Sequence, residues 1–130
     1  MEKEIIRLAL LKEDNLVDLL TTAFYGSYWF SARIPDEYKK LVNPDSECRE
    51  EKWADVLKKG GKIMVIDWEE EDENESEHLI DLNDICKGLM KLHNEHLHVY
   101  ARVMTFDGDA DYYDADAVIQ YAIFGEWVYG

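Results

Sequence analysis

Cysteine and proline are scarce, with two of each in 130 residues. Cys48 and Cys86 are too few for the disulfide framework that staples small secreted domains, so both read as reduced thiols of a cytoplasmic protein. Nothing is rich in Pro, Gly and Ser together, so no linker divides the chain. Residues 1–130 read as a single globular domain. No run of about 18 apolar residues occurs, which argues against a transmembrane helix. The opening Met1-Glu2-Lys3-Glu4 lacks the basic start and apolar middle of a secretion signal. Basic residues are also short: 14 Lys plus Arg face 29 Asp plus Glu, for a net charge of −15. Such a surface repels phosphate, which argues against direct binding to DNA, RNA or anionic lipid.

What is present is enough apolar material for a core, 47% of the chain, which excludes wholesale disorder. The acid excess is lopsided. Residues 1–62 carry 11 basic and 12 acidic side chains, whereas residues 63–130 carry 3 and 17. Between Lys62 and Lys87 there is no Lys or Arg, yet ten acids: Asp67, Glu69, Glu70, Glu71, Asp72, Glu73, Glu75, Glu77, Asp81 and Asp84. A second cluster follows at Asp107, Asp109, Asp111, Asp114 and Asp116. Solubility alone does not require acids to be concentrated, so the asymmetry hints at a charged partner. Solvated loops are the plainer explanation, and both readings stay open at this point.

Apolar spacing supplies the elements. Leu16, Leu19, Leu20, Ala23 and Phe24 predict a helix, with Asp14 as N-cap and Gly26 as its stop. Glu4 to Leu11 is ambiguous between helix and strand. Tyr28 to Ile34 reads as a strand that ends before Pro35. Its Tyr28-Trp29-Phe30 run reads as core packing, with an exposed recognition patch as the alternative. Glu47 to Lys58 reads as a short helix ended by Gly60-Gly61. Lys62 to Trp68 is the clearest strand, and its four consecutive apolar residues predict burial on both faces. His78 to Leu82 is a shorter strand, joined to it by a hairpin with an acidic tip. Asn83 is the expected cap of a helix carrying Ile85, Leu89, Met90 and Leu92, which runs on, with a break, towards Met104. A last helix, Ala117 to Phe124, capped by Asp114 or Asp116 and stopped by Gly125, is apolar except for Gln120 and reads as buried. Trp127, Val128 and Tyr129 then form a tail expected to dock. The sum is an α+β fold: a small antiparallel sheet of about three strands with helices packed on one face.

Chemistry-bearing motifs are few. Asp107, Asp109 and Asp111 match the first ligand positions of a calcium loop. Tyr112 then stands where glycine is required, and Val118 where a bidentate Glu is required. His93 and His96 share a helix face, near Glu95 and His98, but no third metal ligand is identifiable. Cys86 and His93 lie about 10 Å apart along a helix, too far for a thiolate–imidazole pair. No nucleophile elbow, phosphate loop or dinucleotide fingerprint is present. No catalytic residue, metal ligand or cofactor is therefore assigned.

The ending Gln120-Tyr121-Ala122-Ile123-Phe124-Gly125-Glu126-Trp127-Val128-Tyr129-Gly130, reached through Asp114-Ala115-Asp116, resembles the C-terminus of small uncharacterised phage and mobile-element proteins. In size and composition the chain is also similar in type to phage-encoded acidic inhibitors, the anti-restriction and anti-CRISPR proteins. That likeness implies carboxylates presented where phosphates would lie, inside a host cytoplasm, and it carries over no individual residue. The expectation is an acidic inhibitor that binds a basic nucleic-acid-binding protein. Its contact residues would be Asp67, Glu69, Glu70, Glu71, Asp72, Glu73, Glu75, Glu77, Asp107, Asp109, Asp111 and Asp114. The alternatives are an immunity or antitoxin-like protein that neutralises a basic toxin, and a metal-binding protein that uses the His and Asp clusters.

Overall fold

The structure, a computed structural model, describes residues 2–130. Its first element settles an ambiguity in the sequence. Glu2–Leu11 is a helix, α1, and its buried residues Ile6 and Leu10 lie one turn apart. Helix α2, Asn15–Tyr25, buries Leu16, Leu19, Leu20, Ala23 and Phe24. Asp14 stands at its N-cap position, but the side chain makes no cap bond. Asn15 instead donates from Nδ2 to the Ala9 carbonyl at 2.8 Å, which ties α2 to α1.

Strand β1, Phe30–Arg33, is followed by a 3-10 turn at Asp36–Leu41 and by helix α3, Arg49–Lys58. Strands β2, Ile63–Asp67, and β3, Glu77–Ile80, complete one sheet of order β1-β2-β3, antiparallel throughout. Helices α4, Leu82–Glu95, α5, Leu97–Thr105, and α6, Tyr112–Phe124, follow. The break expected before Met104 falls at His96, whose ψ of 68° leaves the helical region. The fold is α+β with a small sheet.

Two caps differ from expectation. Asp81, not Asn83, caps α4, and Asp111, not Asp114 or Asp116, caps α6. In each case the cap carboxylate accepts from a backbone N–H three residues on, and the Asp found there accepts from the cap's own N–H. Such reciprocal boxes satisfy two orphan donors at a helix start and are worth about 1 kcal/mol. They explain why two aspartates recur at this spacing in both places.

Strand β2 is central but does not bury both faces. Ile63, Val65 and Asp67 are buried, while Met64 and Ile66 are only half-buried. The reason is architectural. The helices cover one side of the sheet, so only alternate residues of the apolar run reach the core.

Helix α6 fills the middle, against α2 and α4. Ala115, Ala117, Val118, Ile119 and Gln120 are all fully buried. Its approach to α4 is close: a Cβ added at Gly88 would lie 2.7 Å from the Ala122 backbone nitrogen. Gln120, the lone polar side chain in that apolar stretch, is satisfied by the tail. Its Oε1 accepts from the backbone N–H of Val128 at 2.9 Å and of Tyr129 at 2.8 Å, and its Nε2 donates to the Tyr129 carbonyl at 2.9 Å. The tail docks because a buried amide needs partners, and the chain folds back to supply them. Among the described residues, no helix is long and apolar enough to cross a membrane.

Candidate partner-binding surface

The hairpin between β2 and β3 is closed at its root by one backbone bond, Asp67 N–H to the Ser76 carbonyl, while on the other side of β2 Trp68 N–H donates to the Trp29 carbonyl just before β1, both at 2.7 Å. Beyond the root the loop is shaped by its own polar side chains. Asp67 Oδ1 accepts from Glu69 N–H, Glu70 Oε1 from Asp72 N–H, and Asp72 Oδ1 from Asn74 N–H, at 2.9 to 3.1 Å. The acids substitute for the missing ladder partners of the backbone. Glu69, Glu70, Glu71, Asp72, Glu73 and Glu75 are all exposed. Among the described residues, none of these six has a cationic side chain within ion-pair distance.

The other expected contact residues divide. Asp67 is 2% exposed, and its Oδ2 accepts from the Tyr129 hydroxyl at 2.7 Å. It is a core residue that anchors the tail and presents nothing to a partner. Burial, followed by the bond to Asp67, holds the Tyr129 phenol well above its usual pKa. Asp114 is likewise removed from the surface. It is 4% exposed and takes two bonds from the Arg102 guanidinium, each 2.8 Å. Those bonds hold its carboxyl below the usual carboxylate range. Glu77 is exposed but pairs with Arg33 at 3.2 Å. Asp107, Asp109 and Asp111 remain exposed on the loop before α6. Asp107 accepts from the Thr105 hydroxyl at 2.7 Å, and that bond lowers its pKa.

The roots of the two acidic segments meet at one residue. Trp29, fully buried, passes its carbonyl to the hairpin root and donates its indole N–H to Asp116 in the first half of α6 at 2.7 Å. Its ring packs on Tyr129, 4.9 Å between centroids, and the Tyr129 phenol feels Glu69 and Glu70. The Trp29-Phe30 pair is therefore core, as its strand reading implied, whereas Tyr28 is 72% exposed.

Sequence reasoning missed the outer sheet face. The register sets Arg33, Met64 and Leu79 in one row across the strands and Ser31, Ile66 and Glu77 in the next. Trp68 lies beyond them, 66% exposed, with its indole N–H on the Ser31 hydroxyl at 3.0 Å. None of Met64, Ile66, Trp68 and Leu79 packs against the core. The available signal was phase: Met64, Ile66 and Trp68 share parity along the strand, opposite to Val65 and Asp67.

Other features offer less. Tyr25, Tyr28, Tyr112 and Tyr113 are exposed, the last two with rings 4.2 Å apart. A cleft of about 260 Å³ between α2, α5 and the loop before α6 is lined by Leu19, Thr22, Val103 and Phe106, with Arg102 already committed to Asp114. The histidines part company: His93 stacks edge-on against Tyr100, and His96 against Trp127. Among the described residues, no three His, Cys, Asp or Glu side chains are grouped to hold a metal ion. Comparison with protein-family models, curated proteins and solved structures finds no match for the chain.

Proposed function

We propose that the protein is an acidic inhibitor of a nucleic-acid-binding protein, a CRISPR effector or a restriction nuclease, and that it acts by occupying the basic channel where nucleic acid would lie. It would work in the cytoplasm, by binding rather than by turnover. The observation that carries this reading is the set of six exposed carboxylates on the hairpin loop, Glu69 to Glu73 and Glu75, without cationic partners among the described residues. Uncompensated like charges on one short loop raise the local potential, which steers and holds a cationic surface. Asp107, Asp109 and Asp111 extend the same sign on the loop before α6, whose helix is tied to the hairpin root through Trp29.

The test is competition. The parent protein should displace nucleic acid from a candidate nuclease or effector at low salt and lose potency steeply as salt rises. Single substitutions should do little, because an exposed ion pair is worth about 0–1 kcal/mol. The grouped change of Glu69, Glu70, Glu71, Asp72 and Glu73 to their amides should abolish most of the inhibition while leaving the circular dichroism spectrum intact. Equal potency of the grouped variant at every salt concentration would remove the loop from the binding surface.

A further inference from the structure

The open face of the sheet gives this reading an apolar anchor. Sheets are ordinarily buried on both faces or solvated by polar residues on one. Here the uncovered face presents Met64, Ile66, Trp68 and Leu79, and none of them packs on the core. Trp68 and Leu79 are 66% and 45% exposed. Among the described residues of the three strands, the polar cover of this face is the Ser31 hydroxyl, already bonded to Trp68, and the ion pair of Arg33 and Glu77. The ion pair joins the two outer strands across the central one, since Arg33 pairs in register with Met64 and Glu77 with Ile66.

We propose that this face docks an amphipathic helix of the partner protein, with an apolar stripe set on Trp68, Ile66 and Leu79 and with Lys or Arg along its flank. The inference rests on the partner being basic, as proposed above. Three observations select that occupant. The strip from Met64 to Trp68 spans about 13 Å at strand rise, close to the roughly 12 Å between residues i and i+8 of a helix. Trp68 leads directly into the exposed acids Glu69 to Glu73, so a helix seated on the strip brings its flank against carboxylates. A second copy of this chain would instead set the same acids against each other, at a net charge of −15 per chain. A large aromatic ringed by charge is also the composition of an interface hot spot.

The experiment uses the full chain labelled for NMR and two synthetic 15-residue probes of one composition. One places Leu at helical spacing with Lys on the flank, and the other is its scramble. The scramble reports the charge attraction alone. The amphipathic probe should bind at least about tenfold tighter than the scramble and shift the Trp68 indole and the Met64, Ile66 and Leu79 amides. Trp68→Ala should erase that tenfold difference and leave scramble binding unchanged. Leu79→Gln, which spares the Trp68–Ser31 bond, should reduce the difference in the same direction and decides the matter if the Trp68 variant folds poorly. Equal affinity for the two probes, an undiminished difference in both variants, or shifts confined to the tyrosines at 25, 28, 112 and 113 would overturn the docking face while leaving the electrostatic reading standing. Binding of neither probe at low salt would overturn both.

Discussion

The indole N–H of Trp29 and the carboxylate of Asp116 meet at 2.7 Å across 87 positions of sequence. Asp116 also accepts from Gln120 Nε2 at 3.2 Å, so the pair links the start of β1 to the helix in the middle of the fold. Burial pushes the Asp116 carboxyl above its usual range, against the lowering effect of these two donors. An acid with a raised folded pKa costs stability once ionised. That cost is absent below the unfolded value of about 3.9 and accrues as pH rises through the folded value. Asp116→Asn should therefore gain on the parent as pH rises through that window, measured by urea unfolding at several pH values. Asp116→Leu should cost about 1–3 kcal/mol, because the indole donor is left unpaired. Parallel pH curves for the parent and the Asn variant would mean that Asp116 titrates as a solvated acid.

Asp114 should behave with the opposite sign. The Arg102 bonds depress its folded pKa, so its contribution is fully present above the unfolded value of about 3.9 and disappears as pH falls through the lower folded value. Asp114→Ala should destabilise by about 1 kcal/mol at neutral pH, through loss of the Arg102 bonds and of the N3 half of the α6 capping box. The gap to the parent should close in acid below that window. A gap that does not narrow as pH falls below about 3.9 would assign the effect to packing.

Gly88→Ala should destabilise, although alanine outranks glycine in helices by about 1 kcal/mol. The added methyl would meet the Ala122 backbone, which has no rotamer by which to move aside. Overpacking of this kind costs about 1–3 kcal/mol, seen as a lower thermal midpoint. An unchanged or raised midpoint would show that α4 and α6 can part without loss.

The two thiols should separate by access. Cys48 is exposed and Cys86 fully buried, and burial raises the Cys86 thiol pKa. A thiol-reactive dye should modify one cysteine at once and the second only in denaturant. Two fast equivalents in the native protein would place Cys86 near the surface.

Much of the fold was legible because its elements carry the apolar spacing of buried helices, as at Leu16, Leu19, Leu20 and Ala23. The hairpin tip was legible from the lack of any apolar side chain between Trp68 and Leu79 other than the aromatic-edged His78. What failed had physical causes. The run from Ile63 to Ile66 hides its alternation, since an outward Met64 or Ile66 looks like an inward one until the missing second layer is known. Charge says nothing of depth either. Asp67 and Asp114 read as members of acidic clusters, yet Tyr129 and Arg102, distant in sequence, draw both inside. The caps went to Asp81 and Asp111 because the reciprocal bond needs two aspartates three apart, a pairing visible only when both are considered together.

The place of α6 sets an order on the birth of the molecule. The helix that fills the centre is made after α2 and α4, the helices it separates, and the tail that completes Gln120 is made later still. Until residues 112–129 arrive, Trp29, Leu89 and the floor of the sheet face an empty middle. The nascent chain therefore carries these apolar surfaces without their central helix until residues 112–129 are made, at a rate of about 5–20 residues per second. Its dense negative charge then acts during growth, because like-charged chains on one messenger repel and keep their open cores apart.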